Sequence, residues 1–263
     1  MVLIPVVIIL VLGTSQFWMS VIISVVAFIG ARELLAMVSK RQGRGDAVEG
    51  GWRFLGALPA AAMPLVVYLG GGGSLLPYMT LFVFVCIALR LRFGRDLTDS
   101  LNWLLGVLLG VVYLAVPLTA FVGIKGFERG GYWILFVLVI VWANDTFAYY
   151  TGRIFGTNKL SPVISPNKTY EGAIGGLVGG VVVAFLYNHF LSMGLGLFEL
   201  IIVAIVLGII GITGDLAESL IKRATGVKDS GNLIPGHGGV MDRIDSLIFT
   251  VPALYYYLLW QGV

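Results

Sequence analysis

Asp215, Ser219 and Lys222 are spaced four and then three residues apart, with Glu218 beside them. On an α-helix that spacing puts all three on one face. Asp242 and Asp245, three apart, form a second acidic pair further along. The two sets flank one connection, so their carboxylates are expected to converge on a single place. Oxygen ligands of this kind suit Mg²⁺, which binds one or two carboxylates together with substrate phosphates. Helix-end electrostatics, with acids near a helix start and bases near its end, would account for Asp242 and Asp245. It would not account for Asp215, which stands in the last turns of an apolar helix. Metal binding is therefore the favoured reading of the two acidic sets.

The connection between the acidic sets is rich in groups that bind phosphate. Lys222, Arg223 and Lys228 bring positive charge, and Arg243 can grip phosphate oxygens with two parallel hydrogen bonds. The run Pro235-Gly236-His237-Gly238-Gly239 lets backbone N–H groups turn toward an anion, because glycine tolerates positive φ. His237, between glycines, is expected to give a hydrogen bond or a proton to phosphate rather than to ligate metal. Any one of these Lys or Arg residues would serve alone as an anchor near lipid headgroups. An anchor does not call for His, paired Asp and Gly together.

A second cluster precedes the first. Asn144 and Asp145 lie inside an apolar run, where a carboxylate must be paired, hydrated or neutral. The segment Gly156–Gly172 is expected to be a loop. Within it, Ser165, Lys168 and Thr169 stand just before a helix, where hydroxyls and an ammonium near a positive helix end suit an anion. Simple N-capping by Thr169 or Ser165 is the alternative.

The elements that must hold these residues are membrane helices. The chain of 263 residues is 58% hydrophobic and 12% charged, against about 25% charged in a soluble domain. Apolar runs at about 2–12, 16–38, 54–70, 75–92, 101–122, 131–151, 172–192, 197–214 and 245–261 predict about nine helices. The fold class is all-α and polytopic, with N-terminal helices over 1–130 and a catalytic region over 131–263. The N-terminal run carries Pro5 and no basic segment before it, so it is expected to be a retained short span rather than a removed signal. Fifteen of the 17 lysines and arginines fall in alternate connections, after the second, fourth, sixth and eighth runs. That asymmetry turns these connections, and the candidate site, toward the cytoplasm. Gly172, Gly176 and Gly180, with Gly175 and Gly179 alongside, permit close helix approach. Packing within one subunit is the plainer reading of them, and a homodimer seam is the alternative. Cys86 sits in an apolar run without a metal-ligand neighbour and is read as packing, and His189 is assigned no role.

The stretch from Ser219 to Asp245 resembles a family signature. It reads Ser219, then Lys222-Arg223 after two apolar residues, four residues, Lys228-Asp229, Pro235, His237-Gly238-Gly239, and Asp242-Arg243 with an apolar residue before Asp245. This resembles the phosphatidate cytidylyltransferases, also called CDP-diacylglycerol synthases. The same family carries an Asn-Asp and a Ser-Pro-x-Lys-Thr-x-Glu-Gly segment upstream, matched here by Asn144-Asp145 and Ser165–Gly172. The resemblance covers the second half of the chain with specific motifs. It covers the first half only as a hydrophobic, multi-spanning region.

The resemblance implies a reaction of CTP with phosphatidic acid that gives CDP-diacylglycerol and pyrophosphate. It implies Mg²⁺ held by Asp215 and Asp242, with Asp245 and Asp145 in support and K⁺ as a candidate second ion. Lys222, Arg223, Lys228, Asp229, His237, Arg243 and Asp245 are then the expected catalytic set. Asn144, Asp145, Ser165, Lys168, Thr169, Ser219, Gly238 and Gly239 are the expected substrate-binding set. The partners would be these substrates and membrane lipid, with no nucleic acid, in a bacterial inner membrane. Two other classes stay open on the residues alone. A transporter or channel could use Asp145 and Asp215 as a cation path. A lipid kinase or another phosphotransferase could use the same metal logic.

Overall fold

Apolar runs in lipid must satisfy their own backbone hydrogen bonds, which only helices or closed barrels do. The computed structural model, which describes residues 3–40, 46–94, 96–231 and 238–262, is accordingly helical almost throughout. In chain order the helices are α1 (Leu3–Gly13), α2 (Gln16–Lys40), α3 (Asp46–Gly70), α4 (Leu75–Phe93), α5 (Leu97–Leu109), α6 (Val116–Lys125) and α7 (Gly130–Phe155). After a two-stranded hairpin follow α8 (Tyr170–Leu191), α9 (Leu197–Ala224), α10 (Met241–Ile244) and α11 (Leu247–Gln261).

Among the described residues, seven helical segments are long and apolar enough to cross a membrane. They are Gln16–Ser39, Gly50–Gly70, Gly72–Phe93, Leu97–Lys125, Gly130–Phe155, Tyr170–Leu191 and Leu197–Ala224. The chain is thus a polytopic membrane protein. Of the nine expected spans, the first and last are the short ones, 11 residues in α1 and 15 in α11. At 1.5 Å per residue these reach roughly 16 and 22 Å, less than a hydrocarbon core of about 30 Å.

The chain folds into two compact units. The first comprises Met1–Leu12, Arg129–Arg223 and Ile244–Val263, and the second Gly13–Glu128 and Ala224–Arg243.

In the second unit α2 is the central helix, packed against α3, α5 and α6. Its Ala27, Ala31 and Leu34 are almost fully buried. Small residues set the spacing. A Cβ on Gly56 would lie 2.9 Å from both Leu35 and Val107, and one on Gly30 would lie 2.7 Å from Leu114. The segment Leu97–Lys125 is one rod with a π-helical turn at Gly110–Ala115, where the Val116 N–H bonds to the Val111 carbonyl. Pro117 explains the turn: it has no N–H, and its ring crowds the carbonyl one turn back, which a widened turn relieves. Arg90, near the end of α4, is buried against two indoles, 4.1 Å from the Trp52 ring centre and 4.5 Å from that of Trp103. The Trp103 Nε1–H donates to the Trp52 carbonyl at 2.8 Å, fixing the pair. One of the basic residues expected at an inner headgroup layer is therefore a packed cation within the protein.

In the first unit α7 and α8 make the closest helix pair, and glycine is the reason. A Cβ on Gly172 would lie 2.9 Å from the Ala148 carbonyl oxygen, and one on Gly175, Gly176 or Gly179 would overlap Thr151, Asn144 or Phe147. The glycine stripe thus packs α8 on α7 of the same chain. The α9 helix meets α11 in a similar way: a Cβ on Gly214 would lie 3.3 Å from the Phe249 ring, and 2.6 Å from the Asp245 carbonyl oxygen just before α11.

Candidate functional site

The α9 helix outlasts its apolar run by three turns. The continuation Asp215-Leu-Ala-Glu-Ser-Leu-Ile-Lys-Arg-Ala224 is made largely of good helix formers. Glu218 precedes Lys222 by one turn, the favourable order for an ion pair, and Lys222 and Arg223 complement the negative helix end. The candidate residues Asp215, Ser219 and Lys222 are therefore on one rigid helix, as their spacing implies. Their pairing divides, however. The Ser219 hydroxyl lies 3.4 Å from Asp215 Oδ1, while Lys222 Nζ lies 3.2 Å from Glu218 Oε2. The Glu218 side chain is fully buried, so the Lys222 ammonium neutralises a carboxylate that has no access to water.

The segment expected as a loop before α8 contains a hairpin of β1 (Lys159–Ser161) and β2 (Ser165–Thr169), with Lys159 opposite Thr169 and Ser161 opposite Ser165. Glu171 in the first turn of α8 organises it. Its carboxylate accepts from the Thr157 hydroxyl at 2.8 Å, the Asn158 side-chain amide at 2.7 Å, and the backbone N–H of both residues at 3.2 Å. Thr169 is the N-cap of α8, its Oγ1 accepting from the Gly172 N–H at 3.1 Å. The hairpin thereby delivers Lys168 to α9. Lys168 Nζ lies 2.5 Å from Asp215 Oδ2, with both side chains about a quarter exposed. Arg223 Nε approaches the Ile164 carbonyl at the hairpin turn, 3.4 Å away.

Two more carboxylates share this field. Asp145, on α7, is within electrostatic reach of Asp245, Asp215 and Lys168. Asp245 lies between α10 and α11, outside the spanning segments. Burial and then the Asp215 charge raise its carboxyl above the usual carboxylate range, while its own Ser246 N–H, Lys222 and Lys168 pull the other way. Asn144, one residue before Asp145, is buried between α8 and α9: a Cβ on Gly208 would lie 2.7 Å from its Nδ2. Asp145, Lys168, Asp215, Ser219 and Asp245 are thus gathered in one unit from four separate segments of chain. Ser165 is half-buried at the start of β2.

The remaining signature residues belong to the second unit. Lys228, Asp229 and Arg243 are exposed, and His237 lies outside the described residues. Asp242 Oδ2 collects three donors: the Ser230 N–H at 3.0 Å, the Ser230 hydroxyl at 2.8 Å and the Gly239 N–H at 2.8 Å. Gly238 has φ of 79°, and a Cβ there would lie 2.6 Å from Asp242 Oδ2, so both conformation and space require glycine.

This cradle includes a residue that the motif reading missed. Glu33, on α2, accepts from the Val240 N–H at 2.9 Å and the Met241 N–H at 3.0 Å, and its Oε2 faces the Ser230 hydroxyl at 3.2 Å. One signal was available in the sequence: an ionisable residue in the apolar run over 16–38 is a site hypothesis by default.

Among the described residues no three His, Cys, Asp or Glu side chains close around one point as a complete metal cage. Mg²⁺ does not ask for one, since it keeps water and phosphate oxygens in its shell. Asp215 already holds a cation, the Lys168 ammonium, on one carboxylate oxygen. The donor set therefore fits a Mg²⁺ bound partly by substrate.

The chain is similar to a set of bacterial enzymes. The phosphatidate cytidylyltransferase of Staphylococcus haemolyticus is 45% identical over 147 residues, 56% of each chain. That of Haemophilus influenzae is 48% identical over 133 residues, 49% of this chain and 46% of the relative. That of Bacillus subtilis is 39% identical over 153 residues, 58% of this chain and 57% of the relative. These matches span about half the length of each relative. The profile of the cytidylyltransferase family, by contrast, matches residues 1–260, and the chain belongs to that family.

Proposed function

We propose that this protein is a phosphatidate cytidylyltransferase of the bacterial inner membrane, with its site facing the cytoplasm. The observation that carries the reading is the gathering of Asp145, Lys168, Asp215 and Asp245 at the end of an apolar helix, in a chain of the cytidylyltransferase family. The names of the similar bacterial enzymes support the choice of CTP and phosphatidic acid as substrates.

A phosphate oxygen of phosphatidic acid attacks the α-phosphorus of CTP in line. A new P–O bond forms as the bond to the bridging oxygen of the β-phosphate breaks, and pyrophosphate leaves with the electron pair. The nucleophile is a phosphomonoester, already anionic near neutral pH, so no strong base is needed. The obstacle is repulsion between anions and the charge developing on pyrophosphate, which fixed cations relieve. Lys168, Lys222, Arg223, Lys228 and Arg243 supply those cations. Ser165, Thr169, Ser219 and the Gly238 backbone would hydrogen-bond phosphate, His237 would donate to it, and Asp229 stands beside Lys228 in the same segment. Asp215 and Asp242 would hold Mg²⁺, with Asp145 and Asp245 in support and K⁺ as a second ion, and the metal would supply charge neutralisation on the triphosphate. The acyl chains stay in the bilayer and enter laterally.

The test is the purified protein with labelled CTP and phosphatidic acid. The expected result is Mg²⁺-dependent release of pyrophosphate and formation of a CDP-lipid. Absence of both products from folded protein would overturn the reading.

A further inference from the structure

Glu33 stands on an apolar helix, and its bonding partners among the described residues are N–H and O–H groups rather than a cation. All three partners belong to the segment that carries Asp242. One carboxylate oxygen takes the Val240 N–H, and the other takes the Met241 N–H and faces the Ser230 hydroxyl. Two glycines make room for this. A Cβ on Gly231 would lie 2.7 Å from Glu33 Oε1, and one on Gly239 would lie 2.6 Å from both carboxylate oxygens. The segment is thus shaped to receive the carboxylate at both Ser230–Gly231 and Gly239–Met241.

The Ser230 hydroxyl stands between two carboxylates, 2.8 Å from Asp242 Oδ2 and 3.2 Å from Glu33 Oε2. It has one hydrogen, and the shorter distance gives that hydrogen mainly to Asp242. Glu33 therefore bears on Asp242 in two ways. It fixes the backbone at 240–241, directly before Asp242, and it faces the hydroxyl that Asp242 accepts from. Asp242 Oδ2 is in turn anchored by the Gly239 and Ser230 N–H groups.

We propose that Glu33 is a positioning residue for the reaction, acting through Ser230 and the 239–241 backbone to set the placement of the Asp242 carboxylate. The proposal rests on the reading of Asp242 as a Mg²⁺ ligand under the function above. Groups that orient a metal ligand change metal affinity or activity by about 10- to 100-fold when removed. Glu33→Gln keeps the shape but turns one N–H-accepting oxygen into a donor. A structural role alone would lower the amount of folded protein and leave the Mg²⁺ dependence of the folded fraction unchanged.

Wild type, Glu33→Gln, Glu33→Asp and Ser230→Ala are compared in the same detergent. Two quantities are read: the Mg²⁺ concentration for half-maximal activity, and the rise in apparent Tm on adding Mg²⁺ with CTP. Glu33→Gln is expected to raise the half-maximal Mg²⁺ by about tenfold or more and to reduce the Mg²⁺-dependent rise in Tm. Ser230→Ala should move both readouts the same way by less. The double variant should lose less than the product of the single effects, because both act on one carboxylate. Glu33→Asp, which keeps the charge, should fall between wild type and Glu33→Gln.

Folded variants with wild-type Mg²⁺ dependence and wild-type Tm response would overturn the proposal. If Glu33→Gln does not fold, Ser230→Ala and Glu33→Asp decide the question by the same two readouts. Wild-type protein that is stabilised by Mg²⁺ and CTP but makes no CDP-lipid would refute the reaction while leaving the Glu33 comparison readable through Tm.

Discussion

Asp215 is bound on both oxygens, by Lys168 at 2.5 Å and by the Ser219 hydroxyl at 3.4 Å. Asp215→Asn removes the charge that Lys168 balances without changing the volume. It is expected to lower kcat/KM at least about 100-fold while the protein inserts and folds normally, and Asp242→Asn should do the same. Steady-state kinetics at saturating Mg²⁺ check this, and near-normal turnover of either variant would remove it from the metal site. Lys228 and Lys40 make a second comparison. Lys228 is exposed in the signature segment, next to Asp229. Lys40 ends α2, in a run of basic residues where one headgroup anchor can replace another. Lys228→Ala is expected to raise KM for CTP or phosphatidate, or to lower kcat, and Lys40→Ala to do little. Equal losses would mean that general surface charge, and not a phosphate contact, explains the basic residues. The sequence shows Asp145, Lys168, Asp215 and Asp245 because charges beside apolar runs demand a reason. Glu33 is harder to see, because its partners are mostly backbone N–H groups some 200 residues away, which no side-chain pattern encodes.

At the scale of elements, the tightest constraint is the α7–α8 seam. Gly176 faces the Asn144 side chain, and Asn144 is buried, so a methyl group there has nowhere to go. Gly176→Ala is expected to cost about 1–3 kcal/mol through overpacking, whereas Gly73→Ala, with open space around it, should be close to neutral. Thermal unfolding in detergent measures both. Size-exclusion chromatography with light scattering separates the two explanations of the stripe. A seam between subunits would show Gly176→Ala dissociating an oligomer without loss of subunit stability. The helices themselves were legible, since long apolar runs in lipid permit little else. The three-turn extension of α9 follows from the spacing of Asp215, Ser219 and Lys222, but the hairpin was not legible, because its polar residues break the hydrophobic signal. Side-chain bonds hold the hairpin in its place: Glu171 to Thr157 and Asn158, and Thr169 to the Gly172 N–H.

For the whole molecule, the distribution of lysine and arginine predicts which connections face the cytoplasm. In a Cys86→Ser background, Asn167→Cys and Asn232→Cys are expected to resist an impermeant thiol reagent added from outside intact cells and to react after permeabilisation. Labelling of either from outside would overturn the proposed orientation and with it the supply of cytoplasmic CTP to the site. Arg90 qualifies how such charge counts are used, because a guanidinium packed against Trp52 and Trp103 is fixed by the protein and does not follow the headgroups.

The indole pair beside Arg90 has an optical consequence. The Trp52 and Trp103 rings are 5.6 Å apart and inclined at 75°, close enough for their electronic transitions to mix and skewed enough for the mixture to rotate light. A paired circular-dichroism band from the strong far-ultraviolet indole transition is therefore expected from this site, and it should vanish in Trp103→Phe. Because both indoles and Arg90 lie in the second unit, loss of that band on heating times the loosening of this unit, without a dye, a label or turnover.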